Sequence, residues 1–184
     1  MTQERLEEGK ELYLKNIKRY IAAEGSLFPH FVVIGEKKVK SDDGEPDLAL
    51  IHIPIPDEYM KNEDTKDEFV TTVVPEIAKE VTKKFKCEAV GFAAEAWIRI
   101  ANSDKELPDW KKLPIKKEVV FINIESKNSN LFRVYNINRL GQQVNENGEL
   151  TDHVQLEEDT ELSNMNGTSV VGRMTGLYKK FTEE

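Results

Sequence analysis

Three sets of residues in this chain have side chains that could do chemistry. Asp47 follows Pro46 at the head of an apolar run (EPDLALI), and Glu125 and Lys127 close another (INIESK). Two carboxylates can hold Mg²⁺ while a lysine orients an attacking water; the ion lowers the water's pKa and neutralises the charge that develops on a phosphate. The second set is Glu95, Trp97 and Arg99 in AVGFAAEAWIRIA, residues 89 to 101: an acid, an aromatic and a base at alternate positions, the pattern of a binding anchor. The third set is His30, His52 and His153, one in each of three separate segments, so a metal site would require the fold to bring them together. With the lone Cys87 lacking the neighbouring cysteines of a metal or redox motif, neither a resident metal nor a cofactor is expected.

Composition narrows the classes. The chain has 184 residues, 39% of them hydrophobic and 33% charged, enough apolar mass to fold around one core. Its 34 acidic and 26 basic side chains leave a net charge of -8, so a phosphate backbone meets a repelling average surface and nucleic-acid binding is not expected. The opening MTQERLEEGKELYLKNIKRY is charged throughout, unlike a secretory h-region, and no apolar run approaches the roughly 20 residues of a membrane span. A soluble, cytoplasmic protein is the expectation. The phosphate-cradling GxxxxGK[ST], GxGxxG, HExxH, GxSxG and CxxC patterns are all absent from the sequence.

The elements that must position these residues follow from periodicity. Leu6, Tyr13, Leu14, Ile17, Tyr20 and Ile21 make one stripe of a helix over 3–24, stopped by Gly25. FPHFVVIG (28–35) and DLALIHIPIP (47–56) read as a hairpin whose second strand Pro54 and Pro56 confine to an edge or an end. Thr65 and Glu68 fit a capping box opening an amphipathic helix over 65–86, kinked or broken at Pro75. The 89–101 strand follows, then KKEVVFINIES (116–126) and LFRVYNINRL (131–140) as a second hairpin, then HVQLE as a last strand. The order αββαβββ, with that last strand and a short C-terminal helix to follow, predicts an α+β fold: a mostly antiparallel sheet of five to six strands with helices packed on one face. Residues 1–158 form the single domain and 159–184 a partly ordered extension.

Alternation along 89–101 puts Val90, Phe92, Ala94, Ala96, Ile98 and Ile100 on one face, read as core, and Gly91, Ala93, Glu95, Trp97 and Arg99 on the other, read as open to water or a partner. Glu95 and Arg99 stand roughly 13 Å apart on that strand and cannot pair with each other.

Two resemblances bear on function. EAW (Glu95, Ala96, Trp97) on a strand directly after an amphipathic helix, with KKEVVF about twenty residues later, resembles a group of uncharacterised small bacterial and phage proteins over roughly residues 29 to 125. It implies a prokaryotic or phage origin and a fold, with no activity attached. Pro46-Asp47 with Glu125-x-Lys127 resembles the PD-(D/E)xK nucleases; the acidic surface opposes that reading. The favoured expectation is a non-enzymatic interaction or accessory protein that binds a protein partner or a second copy through the Glu95, Trp97, Arg99 face. The alternative is a metal-dependent, nuclease-like hydrolase built from Asp47, Glu95 and Glu125, with Lys127.

Overall fold

A computed structural model describes residues 2–37, 48–99, 115–144, 148, 150–163 and 177–182. It has the expected α+β character, with a six-stranded antiparallel sheet in the order β2-β1-β3-β4-β5-β6. Helix α1 (Gln3–Glu24) starts where Thr2 accepts the Arg5 N–H, and it stops at Gly25. That glycine adopts φ 77°, a left-handed conformation in which side chains are strained, and donates its N–H to the Ile21 carbonyl. The stripe Leu6, Tyr13, Ile17 and Ile21 is buried along its length.

β1 (His30–Lys37) and β2 (Leu48–Pro54) pair as the expected hairpin, from His30↔Pro54 to Glu36↔Leu48. β2 lies at the sheet edge, where Pro54 ends it at no cost in ladder bonds. β1 also pairs with β3 (Phe85–Arg99), so β2 and β3 run parallel on either side of it, joined by a helical crossover. That crossover is a 3-10 turn (Asp57–Met60), α2 (Glu63–Glu68), a π-helical turn (Phe69–Val73) and α3 (Val74–Lys84). The break anticipated at Pro75 is thus a widened turn just before it, with the proline in the first turn of α3, where its missing N–H is not needed. The capping box is three residues earlier than expected: Asn62 is the cap, and its side chain and that of Thr65 each accept the other's backbone N–H. β4 (Ile115–Ser126), β5 (Asn130–Val144) and β6 (Leu150–Glu158) continue as a meander.

The expected one-sided helix cover is corrected by the structure. One core joins Leu6, Tyr13, Ile17 and Ile21 of α1 to Val32, Ile34, Ala93, Val120 and Ile122. The other joins Phe69, Val74 and Ala78 of the crossover to Phe31, Val33, Val90 and Phe92 on the opposite face. β1 therefore lies between two cores, with Phe31, Val32, Val33 and Ile34 all 0% exposed. Gly91 and Ala93, read as open, lie under α1: a Cβ on Gly91 would stand 2.6 Å from Val32 Cγ1 and 3.3 Å from Tyr13 Cε1, so glycine makes room for the Tyr13 ring.

The described residues after Glu158, 159–163 and 177–182, also join this body. Ser163 closes α4 (Thr160–Ser163), and its hydroxyl accepts the Val134 N–H. Phe181 of α5 (Leu177–Thr182) is buried in the second core.

Candidate functional site

Glu95 holds the chain that links α1 to β1. Its Oε2 accepts the Leu27 N–H at 2.9 Å, and its carboxyl lies near that of Glu118, which stands opposite Trp97 on the next strand. Glu118 in turn takes a two-point contact from Arg139 of β5, at 3.1 and 2.6 Å, the bidentate geometry that gives guanidinium–carboxylate pairs their strength. Arg139 donates further to the Gly25 carbonyl at 2.8 Å and lies 3.5 Å from Asp152 of β6. The two carboxyls are driven apart: burial and the neighbouring Glu118 raise Glu95, while the Arg139 hydrogen bonds lower Glu118. Leu27 and Gly25 are thus both held from the sheet side, by Glu95 and Arg139.

Trp97 stands two residues further along the same face, past the end of α1, and is 57% exposed. Arg99 closes β3 opposite Ile115, and its side chain lies outside the described residues. The backbone around Trp97 has a feature that the sequence does not announce. Pairing between β4 and β5 runs from Glu125↔Asn130 only to Val119↔Asn136. β3–β4 pairing goes on to Arg99↔Ile115, and β5–β6 pairing to Val144↔Leu150. Beyond that point β3–β4 and β5–β6 continue as two two-stranded ribbons bridged by the Glu118–Arg139 ion pair, the base of the second still packed in the α1 core through Ile137 and Val154. Trp97 lies on the first; Leu140, Val144 and Leu150, each more than half exposed, lie on the second.

The hydrolase set does not converge. Glu125 pairs with Val90 and so faces the second core, whereas Glu95 shares the α1 face with Ala93. Glu125 is buried, accepts from Asn123 at 3.1 Å and takes the Tyr178 N–H at 3.4 Å, which ties α5 to the sheet. Lys127 is exposed beyond the strand end, and Asp47 lies outside the described residues. Among the described residues no three His, Cys, Asp or Glu side chains are grouped to hold a metal.

The histidines are brought together in part. His30 on β1 and His52 on β2 have ring centroids 5.3 Å apart, while His153 is exposed on β6. His30 Nδ1 donates to the Phe28 carbonyl at 2.9 Å, so its Nε2 accepts the Tyr13 hydroxyl at 3.0 Å. His52 Nε2 accepts from Asn16 at 3.1 Å, and its buried Nδ1 has no partner. Burial lowers the pKa of both rings, that of His52 to about 4 with His30 adding to the effect. Beside them, between the end of α1 and the hairpin, is a cavity of about 320 Å³. Sequence reasoning missed this convergence, because a long loop leaves the hairpin register open and the register alone decides whether His30 and His52 meet. Burial also pushes the Cys87 thiol up to about 12, in keeping with an inert, half-buried side chain.

Among the described residues no helix is long and apolar enough to cross a membrane. No family model matches this chain, and neither the curated proteins nor the solved structures contain a match.

Proposed function

We propose that this is a non-enzymatic interaction protein that engages a protein partner, or a second copy of itself, through its two projecting ribbons. The observation that carries this reading is that, of the large exposed apolar side chains among the described residues, Trp97, Leu140, Val144 and Leu150 lie on the ribbons past the lapse in β4–β5 pairing, whereas Leu12, Tyr20 and Phe28 lie elsewhere. An aromatic anchor rimmed by charge, here Trp97 beside Glu118 and Arg139, is the make-up of the energetic centre of many interfaces. A hydrolase finds no comparable support, since Glu95 and Glu125 occupy opposite faces of the sheet.

The reading is tested by placing a photo-cross-linking phenylalanine analogue at position 97, at position 150, or at exposed Lys15 on α1, in cells of the native host. Cross-links to one defined species from 97 and 150, none from Lys15, and their loss when Trp97→Ala is combined with the probe at position 150, are expected. Equal labelling from all three positions, or none from the ribbons, would remove the proposal. Sedimentation over a range of concentrations tells a second copy from a different partner.

A further inference from the structure

The cavity beside His30 and His52 shares no lining residue with the ribbons, and nothing in the proposed function uses it. We infer that it is a binding site for a small, uncharged, mainly aromatic molecule. Its volume, about 320 Å³, is within the range of roughly 300–1,000 Å³ typical of small-molecule sites. Its walls are mainly Tyr20, Leu27, Phe28, Pro54, His30 and His52, so the wall a ligand meets is largely rings and carbon, with one side open to water. Among the described residues no lysine or arginine lines it, which leaves an anion without a counter-charge there. Glu24, the one carboxylate on the lining, is exposed to water at the rim.

Most of the polar capacity of the imidazole floor is already used. Both nitrogens of His30 are engaged, by Phe28 and Tyr13, and the partnerless Nδ1 of His52 is sheltered from solvent. Tyr13, Tyr20, His30 and His52 touch one another at centroid distances of 5.3 to 6.3 Å, a preformed ring cluster against which a planar molecule can stack without ordering anything. The rim is held as well. Ser26, Leu27 and Phe28 belong to the linker that Glu95 and Arg139 fasten from the far side, through the Leu27 N–H and the Gly25 carbonyl. Phe28 is left 60% exposed on that rim, an aromatic surface that an apolar ligand would take out of water.

The test uses N-phenyl-1-naphthylamine, an uncharged fluorescent probe of suitable size, with the full chain. Saturable one-to-one binding is expected, with the imidazole resonances of His30 and His52 shifting along the same titration curve while those of exposed His153 stay in place. The sulfonated analogue 1-anilinonaphthalene-8-sulfonate should bind at least about tenfold more weakly, a difference of one decade in Kd. Ser26→Trp, which fills the mouth, and Phe28→Ala, which strips the rim, should each weaken the probe by about tenfold, and the second serves if the first fails to fold. Trp97→Ala should leave its affinity unchanged. Absence of saturable binding overturns the inference, and so does binding that leaves the His30 and His52 signals unmoved, since the probe would then sit elsewhere.

Discussion

At His52 a neutral ring is held in a half-buried setting, and this makes folding sensitive to acid. In the unfolded chain the ring takes a proton near its ordinary value of 6.5; in the folded protein burial delays this to about 4. The unfolded state therefore binds more protons across that window, and stability falls as pH drops from about 6.5 toward 4. Because His52 keeps some contact with water, about 1–2 kcal/mol is expected rather than the full shift. His52→Gln keeps an acceptor for Asn16 and removes the titration, so between pH 7 and pH 4 it should lose measurably less in Tm than wild type. Equal losses would show that His52 has no part in the acid response. Glu95 is a second residue whose work is local: Glu95→Ala leaves the Leu27 N–H without its acceptor and should cost about 1–2 kcal/mol in urea melts. A loss below a few tenths would mean that water replaces the carboxylate freely.

At the scale of elements, the packing of α1 on the sheet depends on a missing side chain. Gly91 lets Tyr13 and Val32 close over β3, so Gly91→Ala forces a methyl into contacts that are already full. About 1–3 kcal/mol of destabilisation is expected, read as a lower urea midpoint with an unchanged slope. A neutral result would show that α1 rides further from the sheet than these contacts place it. The helical crossover illustrates a different rule. Pro75 marks a break in the sequence, but the way the break is taken up, as a π turn that keeps Phe69 and Val70 buried, follows from what the crossover must cover. Phe69 stacks on Phe31 with ring planes 8° apart, a contact that a straight helix would have to trade for another.

For the whole molecule, the decisive feature is a sheet with a core on each side. Phe92 and Ile122 stand for the two faces: Phe92→Ala should cost about 3–5 kcal/mol and Ile122→Ala about 2–5 kcal/mol, because both leave cavities in packed surroundings. Chemical denaturation of the two variants checks this. If Ile122→Ala lost less than about 1 kcal/mol, the α1 face would be open to water and the two-core description would fail.

How far the sequence reached can be argued from particular residues. Local signals sufficed for the elements: the Leu6-to-Ile21 stripe and Gly25 bound α1, and the β-branched runs place β1 to β5 to within a few residues. Alternation put Trp97 outside the core before any coordinates did, because side-chain direction in a strand is a property of the backbone alone. The covering of both faces was also legible, though a different cue led the other way. The unbroken FVVI of β1 is what a strand buried on both sides looks like, whereas the small and charged residues of 89–101 suggested an open face. Small residues there make room for α1, a reading that requires the partner in place. The two hairpins were legible as pairs, but register and the pairing of distant strands were not. The meeting of His30 with His52, the Glu95–Glu118–Arg139 bridge, the separation of Glu95 from Glu125 and the lapse between β4 and β5 each depend on which residues stand opposite one another. Distant strands settle that by filling two cores at once, and no local preference encodes it.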